Sequence, residues 1–527
     1  MKFLRFKSQC YVYVFSVILM LYNIVFCRNL YIITGRLLPT ILVLISVFAV
    51  FNILLSLIFW KKTTKILSCV FLFFNVVCLY FMYTYNVSID YVNLLNLMHT
   101  DMHEVATFLN IKMLLFFILL FVFPAVLVCK TNIIFSDNVV ENIKIKGAHC
   151  IFNIFLLILI IAPVYKAADN FYREQKHLRY YLMPTNYVGT MIFFVRKFPF
   201  SWHKKIAIGD DVKIEKYWDN DKKNLIVLVV GESARAANFS LGGYKRNTNE
   251  PMYRYKEDFV YFSNAYSCGT ATIVSVPCIF SHKNKRDFIL GTEKYTENLT
   301  DMMKKANYFV MWRENNTDCQ NVCNRTKIEK KCKKKHCHDE ILLSNLDKKL
   351  EKNEKDFFLV LHQRGSHGPD YYNMYPPEFE KYTPVCRQND LSNCSTQKLV
   401  NVYDNTIEYT SYFLAELMQI LQKAGDKYNV LMIFVSDHGE SLGENGVYLH
   451  SAIYKYAPDE QKHIPFLIWM PKETQENFAV DMNCLQEMSG QYVSHDNIFH
   501  TILGFAGAHT KLYNQEYNIL KKCQKTR

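Results

Sequence analysis

Acidic side chains are scarce in the first third of this chain. Residues 1–166 hold only 5 of the 48 aspartates and glutamates, against 13 of the 61 lysines and arginines. The other 361 residues carry 43 acidic and 48 basic side chains, so the polar part of the chain is close to charge balance. A nucleic-acid-binding protein, whose basic excess would lie on a soluble surface, is therefore excluded.

Repeats and low-complexity tracts are also lacking in the sequence, apart from a short lysine cluster at 327–335. Aromatic residues make up 15% of the chain and hydrophobic residues 50%. Disordered chains are poor in both, because they cannot bury enough apolar surface to offset the entropy of ordering the backbone. We therefore expect a folded protein, long enough for about three domains.

Five stretches contain no lysine, arginine, aspartate or glutamate, and each is as long as a membrane-spanning helix, which needs about 17–25 mainly apolar residues. Buried helices of a soluble protein are the weaker interpretation. A cleaved signal peptide is disfavoured for the first stretch, because it lacks a convincing small-residue cleavage site and four more stretches follow. The stretches are 8–27, 37–60, 66–89, 113–129 and 147–165.

The loops between these stretches indicate their orientation, because basic residues accumulate on the cytoplasmic side of a membrane. With the N-terminus inside, nine lysines and arginines lie on the cytoplasmic side and four on the other side. Five crossings then place everything after residue 166 outside the cytoplasm. Residues 1–166 are thus predicted to be a transmembrane domain of five helices.

Cysteine usage agrees with an extracytoplasmic C-terminal part. Six of the 16 cysteines lie before residue 151, as small apolar membrane residues, and ten lie after it. An even number in an oxidising compartment predicts up to five disulfides. Our hypothesis pairs neighbours along the sequence: Cys268 with Cys278, Cys319 with Cys323, Cys332 with Cys337, Cys386 with Cys394, and the remaining Cys484 with Cys523. A zinc knuckle at 331–338 is an alternative, but flanking lysines would oppose cation binding there.

Residues 167–223 mix aromatic, basic and apolar side chains without a long apolar run, which is typical of helices lying at a membrane interface; an ordinary ordered linker is the alternative. From residue 224 onward, short apolar runs alternate with helical or loop segments. Such runs indicate strands covered on both faces, hence a largely parallel α/β sheet in a domain spanning 224–527. The predicted strands are 225–230, 259–262, 308–312, 357–362, 430–435 and 466–470.

Polar clusters follow three of these strands, at the sheet edge where α/β proteins bind ligands. Glu232 follows the first strand, the cluster RGSHGP at 364–369 follows the fourth, and Asp437 and His438 follow the fifth. Gly231 permits close backbone approach, and Gly439 permits a kink at the strand end, so that Asp437 and His438 can both reach one ion. Oxygen and imidazole ligands suit zinc, although ligand type alone leaves manganese open. Each cluster taken singly is also typical of a helix cap or surface loop, but three together favour a metal site.

A nucleophile is expected in the segment 268–278, where two cysteines enclose Thr270, Thr272 and Ser275. A disulfide there would hold a helix N-terminus rigidly, with backbone N–H groups facing an anion. A threonine hydroxyl is a weak nucleophile until metal coordination lowers its pKa. The residues alone do not choose between Thr270 and Thr272, and without the metal motifs helix capping would be the better interpretation.

Four motifs resemble those of the lipid A phosphoethanolamine transferases, a family that includes the mobile colistin-resistance enzymes and belongs to the alkaline phosphatase/sulfatase superfamily. They are GES at 231–233, SCGTATIVSVPCIFS at 267–281, HQRGSHGP at 362–369 and SDHGESLGENGVYLH at 436–450. The resemblance covers the whole chain. It implies a five-helix membrane domain and a sulfatase-like α/β domain, with the N-terminus in the cytoplasm and the catalytic domain in the periplasm of a bacterial inner membrane.

The resemblance also implies a site. One tight zinc site would be formed by four residues, and two histidines match family residues near the substrate phosphate that hold a second zinc in some members. Thr272 would be the nucleophile that becomes modified with phosphoethanolamine. The four zinc ligands would be Glu232, Thr272, Asp437 and His438, and the two histidines are His367 and His450.

The implied reaction is a double displacement through this threonine, from phosphatidylethanolamine to lipid A or lipooligosaccharide, with release of diacylglycerol. We expect a membrane-bound monomer that binds no nucleic acid. The family's substrate-pocket pattern appears as Asn96, Thr100 and Glu104, spaced four apart on one helix face; a solvent-exposed polar face is the alternative. Gln320 stands where many relatives have a lysine, which puts phosphate binding by that position, and the acceptor preference, in doubt.

The rival functions lie mostly in the same superfamily. A phosphoglycerol transferase shares five spans and a threonine nucleophile but typically lacks this cysteine set, and a simple phosphatase would not need five spans. A sulfatase would need a modified Cys or Ser in a C/S-x-P-x-R context, which the residues after Cys278 do not provide. A non-catalytic envelope scaffold predicts a missing nucleophile or ligand, yet all four candidates are present.

Overall fold

The structure is a computed structural model that describes residues 4–99, 105, 108–197, 205–218, 220–316, 318–330, 332 and 337–525. The chain folds into two compact units. The first unit is Met1–Leu94 with Phe108–Lys197, and the second unit is Leu95–Thr107 with Phe198–Arg527. Thr100 and Glu104, two of the predicted substrate-binding residues, lie outside the described residues.

The first unit is built from long apolar helices. Four of them are long and apolar enough to cross a membrane, and a bent pair of shorter helices adds a fifth candidate if the pair crosses as one. The four are Leu37–Ile58, Thr64–Tyr85, Ile111–Lys130 and Val139–Glu174, and the pair is Ser8–Tyr22 with Ile24–Thr34. Every predicted stretch therefore coincides with an apolar helix, whereas the count of spans is four or five by length and composition.

The bend of 66° in the first apolar stretch has a local cause in Asn23. Its fully buried side chain donates to the carbonyl of Leu19 and to that of Met183, both at 2.8 Å, and accepts from the Met183 amide at 2.7 Å. A buried amide group needs such partners, and here they come from a segment 160 residues away. The polar contacts therefore fix the direction in which the chain leaves the first helix.

The predicted interfacial segment 167–223 is divided between the two units. Tyr165–Glu174, which is the end of the last long helix, lies in the first unit together with the 3₁₀ turn Lys176–Tyr181 and the helix Thr185–Lys197. Lys213–Ile214 instead forms a strand that pairs antiparallel with Ala508–His509 in the second unit. The predicted interfacial segment 167–223 thus contains helices in its first half and part of the second unit in its last residues.

A seven-stranded sheet is the centre of the second unit. Its strands are β1 (Lys223–Gly231), β2 (Phe259–Phe262), β3 (Phe309–Glu314), β4 (Lys327–Lys330), β5 (Phe357–His362), β6 (Tyr428–Ser436) and β7 (Phe466–Trp469), in the order β2-β7-β6-β1-β5-β3-β4. All neighbours run parallel except β7, which is antiparallel to both β6 and β2. The largely parallel sheet and its six predicted strands are confirmed, and β4 is an additional edge strand.

Complete burial explains why the strands could be recognised. Residues 225–230 of β1 are all 0% exposed, because helices cover both faces of the sheet. The remaining α-helices of the second unit are Thr272–Ile279, Leu299–Lys305, Leu346–Lys352, Thr396–Ala424, Lys472–Asn477, Met482–Glu487 and Asp496–Phe505. Burying each Val, Leu or Ile of such a strand contributes about 1.5–3 kcal/mol, so β1 is a major source of stability.

The structure also contains short strand pairs and one further α-helix. The pairs are Arg5–Lys7 with Asn132–Ile134, Ala265–Tyr266 with Val493–Ser494, and Ser441–Leu442 with Tyr448–Leu449. The further helix is Tyr91–His99.

Ten cysteines form five disulfides, and the pairing is the one between sequence neighbours. The bridges are Cys268–Cys278, Cys319–Cys323, Cys332–Cys337, Cys386–Cys394 and Cys484–Cys523. All lie in the second unit, and the six free cysteines all precede residue 151. The zinc-knuckle alternative at 331–338 is wrong, because its two cysteines are bonded to each other.

The disulfide pairing predicts how many cysteines react with an alkylating agent. Alkylation of the denatured, unreduced protein should label the six free cysteines, and prior reduction should raise the number to all 16. The measurement is intact mass before and after reduction. More than six labelled cysteines without reductant would contradict the pairing.

Candidate metal and nucleophile site

The candidate site lies at the carboxyl ends of three adjacent strands, β6, β1 and β5. Their register places Ser436 of β6 opposite Gly231 of β1, and Val230 of β1 opposite His362 of β5. The three predicted polar clusters begin within a residue or two of these positions, so parallel pairing brings them together.

The side chains of Glu232, Asp437 and His438 form a compact cluster in which one ligand atom from each lies within 4.8 Å of the others. His438 Nε2 is 3.3 Å from Glu232 Oε1 and 3.3 Å from Asp437 Oδ2. The Thr272 hydroxyl joins them, at 3.1 Å from Glu232 Oε2 and 3.2 Å from His438 Nε2. The four residues that the sequence motifs singled out as zinc ligands therefore share one small volume.

Backbone and side-chain donors hold the two carboxylates in place. Asp437 Oδ1 accepts from the amides of Ser233 at 3.1 Å and His438 at 2.7 Å. Glu232 accepts from the Ser233 hydroxyl at 2.8 Å and from the Asn316 amide group at 2.9 Å. The other oxygen of Asp437, Oδ2, is buried, and among the described residues it makes no hydrogen bond and has only His438 Nε2 nearby, at 3.3 Å. That oxygen is available to a cation.

His438 is oriented for the same purpose. Its Nδ1 lies 2.8 Å from the Gly439 carbonyl oxygen, which can only accept, so Nδ1 carries a proton and Nε2 faces the carboxylates. Gly439 itself has no room for a side chain, because a Cβ there would lie 1.9 Å from the Glu460 carbonyl oxygen. The cluster thus offers one ion two carboxylates, one imidazole and one hydroxyl, and this set of ligands fits zinc.

The pKa shifts within the cluster also indicate a site that requires positive charge. Burial raises the pKa of Glu232, but the hydrogen bond and positive charge of His438 outweigh it and hold that pKa well below its usual range. Burial and the charge of Glu232 raise the pKa of Asp437 to about 6. Burial lowers the pKa of His438, whereas Asp437 and Glu232 raise it, to about 10 overall. Without a metal, a proton on His438 therefore supplies the positive charge that the two carboxylates require.

The two threonines left open by the sequence differ in the structure. Thr272 begins the helix Thr272–Ile279, and its hydroxyl points to the acidic cluster. Thr270 instead donates its hydroxyl to the Ala452 carbonyl at 2.5 Å. A hydroxyl that serves as a backbone link is less available as a nucleophile, so the geometry favours Thr272 over Thr270.

The two further histidines are neighbours of the cluster. The ring centroids of His450 and His438 are 4.3 Å apart, and those of His450 and His367 are 5.7 Å apart. His450 Nδ1 lies 3.1 Å from an oxygen of Glu440, which is itself 0% exposed. The two histidines thus lie beside the cluster, next to His438.

Other predicted substrate-binding residues have different surroundings. Asn96 donates a hydrogen bond from its side-chain amide to the Ser451 hydroxyl at 2.7 Å, and Ser451 directly follows His450 in the sequence. Gln320 lies between the disulfide-bonded Cys319 and Cys323, is 6% exposed, and has a side-chain oxygen without a partner among the described residues. A neutral amide, which can both donate and accept hydrogen bonds, therefore occupies position 320.

Sequence reasoning missed three residues that support the site. Asn316 binds Glu232, and Glu440 binds His450. Gly365 has a φ of +53° and lies so close to Glu232 that a Cβ would be 2.6 Å from its carbonyl oxygen. Glu440 and Gly365 stand inside quoted motifs and could have been found there, whereas Asn316 gave no signal in the sequence.

Comparison with known proteins supplies the context for this geometry. The Sulfatase family model matches residues 224–508, and the model described as Phosphoethanolamine transferase EptA/EptB matches residues 47–197. Phosphoethanolamine transferase EptA of Escherichia coli (strain K12) is 36% identical over 496 residues, covering 91% of this chain and 89% of that protein. Phosphatidylethanolamine transferase Mcr-1 of Escherichia coli is 34% identical over 433 residues, covering 79% and 80%.

A solved membrane protein has the same fold throughout. The integral membrane protein lipooligosaccharide phosphoethanolamine transferase A (EptA) from Neisseria meningitidis superposes with a TM-score of 0.94 at 28% identity. The match covers 99% of this chain and 100% of that chain.

Substitution of Gly365 should disturb Glu232. In Gly365→Ala the new Cβ must displace the Glu232 backbone, and we expect zinc affinity to fall about 10–100-fold. The control is Gly243→Ala: Gly243 also has a positive φ, of 97°, but no atom lies within 4 Å of the added Cβ. The measurement is zinc affinity by competition with a chelator. Equal affinities in the two variants would contradict the role of Gly365.

Zinc binding should also be linked to protons. Because the pKa of His438 is raised to about 10, the metal-free protein holds a proton on His438 at neutral pH that the ion must displace. Zinc affinity should therefore fall about tenfold for each unit of decreasing pH between about pH 9 and pH 7. The fall should steepen below about pH 6, where Asp437 also becomes protonated. An affinity that is independent of pH would contradict this charge arrangement.

Proposed function

The chain belongs to the phosphoethanolamine transferase family, and we propose on this basis that it transfers phosphoethanolamine from phosphatidylethanolamine to lipid A or lipooligosaccharide. The observation that carries the proposal is the Thr272 hydroxyl, 3.1 Å from Glu232 and 3.2 Å from His438, at the first residue of a helix. A nucleophile in this setting suits transfer of a negatively charged group, since helix N–H groups and a cation both stabilise an anion.

Zinc held by Glu232, Thr272, Asp437 and His438 would supply positive charge that lowers the pKa of the threonine hydroxyl and neutralises charge on the substrate phosphate. The fit of the donor set supports this assignment: two carboxylates, one oriented imidazole, one hydroxyl and one buried carboxylate oxygen that makes no hydrogen bond among the described residues. A second zinc near His367 and His450 is part of the proposal as a weaker site.

In the donor half-reaction, Thr272 Oγ1 attacks the phosphorus of phosphatidylethanolamine. The bond from phosphorus to the glycerol oxygen breaks, and diacylglycerol leaves with the proton that the hydroxyl gives up. The product is a phosphoethanolamine ester on Thr272. His367 or His450 carries the proton, since their rings lie beside the cluster.

In the acceptor half-reaction, an oxygen of the acceptor attacks the same phosphorus and Thr272 regains its proton. The meningococcal relative is named for lipooligosaccharide, which supports an acceptor in the bacterial envelope. We propose a monomeric protein of the inner membrane, with the N-terminus in the cytoplasm, residues 1–166 as the membrane domain and 224–527 in the periplasm. The added amine would weaken attraction of the cell surface for cationic peptides such as polymyxin.

Substrate recognition completes the proposal. We assign the donor headgroup to Asn96, Thr100 and Glu104, of which Asn96 contacts Ser451 beside His450. Gln320 would bind the substrate through neutral hydrogen bonds instead of the ammonium of a lysine. Position 320 should therefore affect which acceptor is preferred more than whether the donor reacts.

The test is intact-mass spectrometry of the full-length protein after incubation with phosphatidylethanolamine, alongside Thr272→Ala and the control Thr270→Ala. We expect wild type and Thr270→Ala to gain the mass of one phosphoethanolamine and release diacylglycerol. Thr272→Ala should gain nothing, since it lacks the attacking hydroxyl.

Each other outcome has a defined meaning. No adduct in wild type with zinc bound would reject this donor and favour the phosphoglycerol transferase or phosphatase alternatives. An adduct that persists in Thr272→Ala but is lost in Thr270→Ala would move the nucleophile to Thr270.

A further inference from the structure

His495 links the segment that contains the nucleophile Thr272 to the end of strand β6. Two of the candidate metal ligands, Asp437 and His438, directly follow that strand. Its side chain is 1% exposed. The backbone amide of Cys268, four residues before Thr272, donates to His495 Nδ1 at 3.0 Å. His495 Nε2 lies 2.9 Å from the carbonyl oxygen of Ser436, the residue before Asp437. One imidazole thus bridges two segments that are 168 positions apart and contribute different groups to the site.

The two partners determine the tautomer of His495. An amide N–H can only donate, so Nδ1 must present a lone pair; a carbonyl can only accept, so Nε2 must carry the proton. Burial lowers the pKa of His495 to about 3, so the ring is neutral at physiological pH. Both bonds are therefore satisfied by one form of the ring, with no competing protonation state.

The bridge is itself anchored. Ser494 donates its amide to the Asn497 side chain at 2.8 Å, and Asp496 accepts from the Lys285 amide at 2.7 Å. On the other side, the Ser436 hydroxyl donates to the His438 carbonyl at 2.8 Å and accepts from the Ala234 amide at 2.8 Å. His495 therefore transmits a fixed position from the start of helix Asp496–Phe505 to both halves of the site.

We propose that His495 is a positioning residue. It sets the distance between the Thr272 hydroxyl and the Asp437–His438 pair by fixing the backbone of Cys268 relative to that of Ser436. The inference rests on the proposed function, because Thr272 is its nucleophile. His495 touches neither substrate nor reacting atoms, and it acts through the backbone at both of its contacts.

The test compares three variants of the full-length protein. His495→Phe keeps a buried ring but neither hydrogen bond, and His495→Gln keeps one donor and one acceptor. The control is His500→Phe: His500 is 4% exposed on the helix that His495 precedes, and its Nδ1 accepts from the Asn514 amide at 3.2 Å, away from the site. His495→Phe loses two buried hydrogen bonds and His500→Phe loses one, so thermal stability should fall in both variants and more in His495→Phe.

Three quantities are measured: melting temperature, zinc affinity by chelator competition, and the rate constant of adduct formation on Thr272 at saturating phosphatidylethanolamine. His495→Phe should lower zinc affinity and the rate constant each about 10–100-fold, with an unchanged KM for the lipid. His495→Gln should recover most of both, and His500→Phe should change neither. A purely structural role would instead lower the melting temperature of His495→Phe and leave its zinc affinity and rate constant unchanged.

The proposal is overturned if His495→Phe keeps the wild-type zinc affinity and rate constant, or if His500→Phe loses as much. If His495→Phe does not accumulate as folded protein, His495→Asn takes its place, since its shorter side chain retains an acceptor for Cys268 but does not reach Ser436; the same losses are expected, and wild-type values reject the proposal. If wild type forms no adduct, the proposed donor reaction fails, whereas the zinc-affinity comparison still tests His495.

Discussion

Two carboxylates enclosed in protein next to one imidazole are the constraint on which this architecture depends. Glu232 and Asp437 are 1% and 0% exposed, and His438 is 0% exposed. Buried carboxylates are costly unless hydrogen bonds and positive charge compensate for lost hydration. The surrounding backbone amides, the Ser233 hydroxyl and the Asn316 side chain supply part of that compensation, and a proton on His438 or a bound cation supplies the rest. A protein with this buried cluster must therefore bind a proton or a cation at it.

Parallel strand pairing makes the cluster possible in structural terms, because β6, β1 and β5 bring distant residues together without long loops. The close approach leaves little tolerance around the site. Gly439 packs against the Glu460 carbonyl, and Gly365 packs against the Glu232 backbone. Rigid strands with glycine at the contacts hold the ligands more precisely than flexible loops would.

The sequence predicts most of the sheet, since a fully buried strand such as β1 is a continuous apolar run. It does not predict β4, because Lys327–Lys330 lies at the sheet edge with three of its four residues exposed. The family resemblance implies Glu232, Thr272, Asp437 and His438, whereas the residues alone left Thr270 and Thr272 open. The fold brings the Ala452 carbonyl to Thr270, which favours Thr272 as the nucleophile. His495 and Asn23 escaped for the same reason: their partners include backbone groups far away in sequence.

The spacing of the disulfides has a consequence for how the second unit acquires its structure. Four bridges join cysteines only 4, 5, 8 and 10 positions apart, so each can close within a short segment before the rest of the unit has formed. Cys484–Cys523, with a separation of 39, has to wait for the C-terminal end of the chain. Closing a longer loop removes more freedom from the unfolded chain, so this single bridge constrains the unfolded ensemble most. Loss of the last few residues would therefore leave the local loops closed while releasing the carboxyl-terminal segment.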